Sequence, residues 1–122
     1  MIIDCIIEIL KNSDDVYINE LGLFEKKRTS SEIQENQISP PQIKVFFDEK
    51  GEGNGFAFIL KYAEKKQKRI NDADVEIRQW IEELKNSLAN NKSITFENFG
   101  TFSLNPKNEI IFESGWIKEL NI

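Results

Sequence analysis

Two nine-residue stretches of this chain share one design, and that repeat limits the folds open to it. Val16-Tyr17-Ile18-Asn19-Glu20-Leu21-Gly22-Leu23-Phe24 lies over Ile94-Thr95-Phe96-Glu97-Asn98-Phe99-Gly100-Thr101-Phe102 without a gap. Gly22 then meets Gly100 and Phe24 meets Phe102. A second pair of segments follows: Lys44-Val45-Phe46-Phe47-Asp48 lies over Glu109-Ile110-Ile111-Phe112-Glu113. These stretches are rich in strand formers, and each set follows a helical pattern. The unit helix–strand–strand therefore occurs twice. One hairpin alone is marginal in water, whereas two hairpins covered by helices close a common core. A repeat inside one chain can imitate a symmetric two-chain dimer. The recurring glycine reads as a bulge or a close backbone approach.

The remaining elements fit around that repeat. Ile3, Ile6, Ile7 and Leu10 recur at helical spacing and predict a short amphipathic helix over 2–12. Residues 16–24 read as one strand with a glycine inside, and 43–47 as its return. Between them, the polar stretch 26–41 closes on Pro40-Pro41 and is a loop or the tip of a long hairpin. Residues 49–55 hold three glycines in five positions and form a connector. A helix follows over 56–68. Asn71 and Asp72 read as the cap of the next helix. That helix runs to about residue 90 with Ile77, Trp80, Ile81, Leu84 and Leu88 on one stripe, and Asn90-Asn91 supply its left-handed stop. Residues 94–104 read as a strand, 105–108 as a tight turn and 109–112 as the returning strand. A short terminal helix is expected within 115–122. The fold class is α+β: a first unit at 1–50 and a second at 51–122 around one shared core.

Composition narrows the chemistry. The chain of 122 residues has no histidine, one cysteine and a net charge of −5. It has neither His-based acid–base chemistry nor a Cys-His zinc site. Asp48, Glu49 and Glu52 do not match the spacing of a calcium loop. The run Gly51-Glu52-Gly53-Asn54-Gly55 is acidic and lacks the lysine of a phosphate-binding loop. Glu82-Glu83 point apart on a helix and form no catalytic dyad. The expectation is a non-enzyme with no cofactor, no metal and no small-molecule substrate. Cys5, on an apolar helix, reads as a buried small hydrophobe. The apolar opening lacks a basic start and a cleavage site, and no 18-residue apolar window exists, so neither a leader nor a membrane span is expected.

Residues 58–104 resemble the body of the HU/IHF superfamily of bacterial histone-like proteins. The resemblance rests on Ile59-Leu60-Lys61-Tyr62-Ala63-Glu64-Lys65, a second helix over 73–88, and Ile94 through Phe102 ending in Phe-Gly-Thr-Phe. Over 1–113 the chain is similar to a branch with two degenerate HU-like units in tandem, whose members often precede a membrane segment and a SPOR (peptidoglycan-binding) domain. The resemblance implies an intramolecular pseudo-dimer in the cytoplasm, tethered to the inner face of the membrane if the natural chain continues.

HU-type proteins bind DNA with long basic β-arms that follow the minor groove. Here 105–108 is too short for an arm, and 26–41 reads as a solvated loop in preference to an arm stub. Residues 61–69 carry a net charge of +4, which leaves −9 on the rest of the chain. The candidate contacts for DNA or another anion are Lys26, Lys27, Arg28, Lys61, Lys65, Lys66, Lys68 and Arg69. The ordinary reading of the second cluster is a solvated helix end. Tyr17 and Trp116 are the candidate protein contacts. The favoured reading is a protein-binding scaffold linked to the cell envelope, division or chromosome partition. The alternative is weak, non-specific duplex binding through a basic edge.

Overall fold

The structure is a computed structural model that describes residues 2–29, 33–34, 37–38 and 42–121. Helix α1 spans Ile2–Asn12, and strands β1 and β2 span Asp15–Ile18 and Gly22–Thr29. Short strands β3 (Ile33–Gln34) and β4 (Gln37–Ile38) precede β5 (Gln42–Asp48). Helices α2 (Gly55–Lys66) and α3 (Ile70–Asn91) lead into β6 (Ser93–Phe96), β7 (Gly100–Leu104) and β8 (Ile110–Ser114). A single 3₁₀ turn, Lys118–Leu120, takes the place of the expected terminal helix.

The strands form two three-stranded antiparallel sheets, β1-β2-β5 and β6-β7-β8, and a small pair β3-β4. Neither 16–24 nor 94–104 is one strand. Each is broken by a three-residue turn with a left-handed residue in the middle, Glu20 at φ 69° and Asn98 at φ 67°. Leu21 N–H donates to Ile18 C=O at 3.1 Å, and Phe99 N–H donates to Phe96 C=O at 3.1 Å. The turns bury Leu21 and Phe99, so apolar character runs through them and hides the break. Gly22 and Gly100 follow the turns. An added Cβ at Gly22 would stand 2.7 Å from the Asp48 carbonyl and 2.8 Å from the Phe47 ring. At Gly100 it would stand 2.4 Å from the Glu113 carbonyl and 2.5 Å from the Phe112 ring.

The correspondence extends into the packing. Phe24 lies opposite Phe47 in register, and Phe102 lies opposite Phe112. Both ring pairs are 4.8 Å apart, at 44° and 48°. Across the sheets, Phe24–Phe112 and Phe47–Phe102 are edge contacts at 5.9 and 6.0 Å. Backbone groups cross in the same reciprocal way. Val45 N–H donates to Ser114 Oγ at 3.1 Å, and Ile110 N–H donates to Glu49 Oε2 at 3.2 Å. Val45 and Ile110 are matched positions of the repeat, as are Glu49 and Ser114. Burying one large apolar side chain contributes about 1.5–3 kcal/mol, and Phe24, Phe99 and Phe102 are fully buried together.

The helices cover this core. Helix α1 buries Ile2, Ile3, Cys5, Ile6, Ile7 and Leu10 and shows Asp4, Glu8 and Lys11 to solvent. Asn54 caps α2 by accepting from Phe56 N–H at 3.1 Å. Asn71 and Asp72 are not a cap: α3 begins at Ile70, after Arg69, which makes no side-chain capping bond. Asp72 sits in the first turn, where a carboxylate favours the positive end of the helix dipole. The left-handed stop falls on Lys92 at φ 69°, not on Asn90-Asn91. Leu104 N–H donates to the Lys92 carbonyl at 3.2 Å, so the helix ends where β6 must begin to pair. Among the described residues no helix is long and apolar enough to cross a membrane.

Candidate functional site

The connector explains its glycines by packing. At Gly51 and Gly53 an added Cβ would stand 2.6 Å from the Cβ atoms of Leu23 and Tyr17. The connector therefore crosses the face of the first sheet that points away from the phenylalanine core. Register places Asp15, Glu25, Asp48, Lys27 and Lys44 on that face. The matching face of the second sheet carries Thr95, Thr101, Ser103, Ile111 and Glu113. Four carboxylates against two ammonium groups, with the connector across one half, make a poor seat for a polyphosphate backbone.

The first basic cluster is not in a loop. Lys26, Lys27 and Arg28 belong to β2, paired with Val45, Lys44 and Ile43 of β5. The short β3-β4 pair lies in the same excursion, so its described part is a hairpin; Pro40-Pro41 fall outside the described residues. Alternation puts Lys26 and Arg28 on one face and Lys27 on the other. Lys27 Nζ stands 5.3 Å from the Phe46 ring centroid. It also faces Lys44 directly, and like charges opposite each other weaken a ladder. None of these four cations forms an ion pair among the described residues.

The second cluster is divided. Lys65 donates to Glu8 of α1, and Lys68 donates to Glu76 of α3. Glu76 also accepts from Tyr62 O–H at 2.6 Å. The hydrogen bond from Lys65 holds the Glu8 carboxyl below its ordinary value, and that bond raises the Lys65 ammonium in turn. Lys68 first, and Tyr62 second, lower Glu76. Burial, followed by the bond to Glu76, raises the Tyr62 phenol. Of the five cations, Lys65 thus fastens α2 to α1, and Lys68 fastens the α2–α3 link to α3. Lys61 lines a cavity beside α1, while Lys66 and Arg69 stand exposed at the end of α2. This cluster belongs to α2 and its link to α3, whereas Lys26, Lys27 and Arg28 belong to β2, the central strand of the first sheet.

Tyr17 is half-buried and lines the same cavity as Lys61, whereas Trp116 is 58% exposed after β8. Cys5 is fully buried, and desolvation pushes its thiol up to about 11. Sequence reading weighed Glu52 only against a calcium or phosphate loop and did not bring Asp15 and Glu52 together with Tyr17, whose cavity they share. It also overlooked Asn121, whose side-chain amide bonds both the N–H and the C=O of Ile43, at 2.8 and 3.1 Å. Neither had a local signal, because both roles depend on distant segments.

Residues 59–115 match the protein family described as CCDC81-like prokaryotic HU domain 2. This HU match runs from α2 through β8 and covers just under half of the chain. No curated protein and no solved structure matches the chain. The matched part is HU-like, in keeping with the resemblance read from the helix pair and Phe-Gly-Thr-Phe. Its hairpin turns at Asn105, whose side chain accepts from Lys107 N–H and Glu109 N–H at 2.9 Å each. An HU-type arm has no room there.

Proposed function

We propose that this chain is a non-enzymatic tandem HU-like module, with units at 1–50 and 51–122 packed as an intramolecular pseudo-dimer and used as a protein-binding scaffold. Three features support the pseudo-dimer. The registers match, the phenylalanine pairs match, and the hydrogen bonds of Val45 and Ile110 are exchanged as in an isologous interface. The description of the matching family, a second HU domain, suits a chain whose other unit precedes it. What the outer sheet face displays supports the scaffold role. It is acidic, it is partly covered by the connector, and one of its two hairpins ends in a tight turn. We place the module in the bacterial cytoplasm, at the inner face of the membrane if the natural chain continues into a span and a SPOR domain.

The DNA-binding reading has one observation in its favour: Lys26, Lys27, Arg28 and Lys44 lie on the first hairpin and form no ion pair among the described residues. A labelled duplex titrated with the full chain at low and moderate salt decides between the readings. The scaffold reading expects no saturable binding even at low salt. A steep salt slope, with binding lost on charge reversal of Lys26, Lys27 and Arg28 or of Lys65, Lys66 and Lys68, would overturn it.

A further inference from the structure

A cavity of about 420 Å³ lies where the two halves of the chain meet. Its lining is mixed: Ile9 of α1 and Tyr17 and Leu23 of the first sheet, all half-buried, and exposed Ala57 of α2 supply apolar surface, and the buried Val16 and Phe58 also line it. Pockets that hold small ligands or inserted side chains fall between about 300 and 1,000 Å³. The rim carries three carboxylates, Glu8, Asp15 and Glu52, against one ammonium group, Lys61. Glu8 is engaged by Lys65, whereas Asp15 and Glu52 form no ion pair among the described residues. Asp15 also stands directly opposite Glu25 in the β1–β2 ladder. Two carboxylates facing each other weaken a ladder unless a cation sits beside them. A partly apolar trough with a net acidic rim is complementary to an apolar group flanked by positive charge.

We propose that this groove docks a short peptide segment of a partner protein, an aliphatic or aromatic anchor flanked by lysine or arginine. The inference rests on the scaffold reading and names the partner's chemistry. The anchor lies on Ile9, Leu23 and Ala57, beside Tyr17. The flanking cations face Asp15 and Glu52. Because the lining draws on both halves, the bound peptide bridges them.

The test uses the full chain and fluorescence anisotropy of three labelled hexapeptides: Lys-Arg-Leu-Phe-Arg-Lys, the same core flanked by Asp and Glu, and the basic flanks around Gly-Gly. Only the first is expected to bind saturably, more weakly as salt rises. Ala57→Trp, at an exposed helix position on the groove wall, is expected to abolish binding with the far-ultraviolet dichroism unchanged. Asp15→Lys with Glu52→Lys is expected to weaken it about tenfold. Equal binding by the Ala57→Trp variant, equal binding of the Gly-Gly peptide, or no binding of the first peptide overturns the proposal. Concentration-dependent self-association that Ala57→Trp removes overturns it too, by making a second copy the occupant. The groove then falls while the scaffold reading stands, because that reading is decided by the duplex titration.

Discussion

The two sheets share a register, a turn and a phenylalanine pair, yet they part company beyond the core. The first hairpin runs its β2–β5 ladder for seven residue pairs to Thr29 and Gln42 and carries cations that form no ion pair among the described residues. The second closes after five pairs, at Leu104 and Ile110, on a turn fixed by Asn105. Positions that face the other half are matched, whereas positions that face solvent have diverged. Shared burial constrains side chains strongly, because a core position answers to several neighbours at once. An outer hairpin answers only to what binds it.

The comparison breaks most sharply at Phe24 and Phe102. Phe24→Ala and Phe102→Ala are each expected to cost about 3–5 kcal/mol in urea denaturation. If the halves form one core, both variants unfold in a single transition. A biphasic curve for either variant would mean that the halves fold apart. The glycines come next. Gly22→Ala and Gly100→Ala each force a Cβ against a backbone carbonyl and a ring, and each is expected to cost about 1–3 kcal/mol. A neutral result at one of them would show that its sheet can shift where the other cannot.

The reciprocal hydrogen bonds sharpen the comparison at lower energy. Ser114→Ala and Glu49→Ala each leave one buried-strand N–H without its partner, and each is expected to cost about 1 kcal/mol. Comparable losses fit an exchange-symmetric contact; a loss at only one site would show that the halves meet unequally. The smallest effect concerns the turns. Glu20 holds a left-handed backbone that asparagine tolerates better. Glu20→Asn is therefore expected to raise stability by about 0.5 kcal/mol, and Asn98→Glu to lower it by a similar amount. Thermal unfolding of the two variants side by side checks both signs.

The repeat, the core phenylalanines and the order of helices were legible in the sequence, since each rests on local spacing. The strand breaks were not. Leu21 and Phe99 sit at the end of turns yet are buried, so hydrophobicity carries no mark of the reversal there. The cap at Asn71-Asp72 was misplaced because a first-turn carboxylate and a capping one share a composition. Of the candidate site, the cations were visible as a list but not as an arrangement. Their division between Glu8, Glu76 and open solvent depends on which helices touch. The Tyr17 cavity was invisible, since its walls come from four separate elements.

The buried position of Cys5 has a practical consequence. The chain has one sulfhydryl, and that group is sealed beneath α1 with its ionisation suppressed. An alkylating reagent reaches it only when that helix lifts away. The labelling rate of the unmodified protein thus clocks the opening of its amino-terminal half, and comparing that clock with global unfolding would time whether the halves let go together.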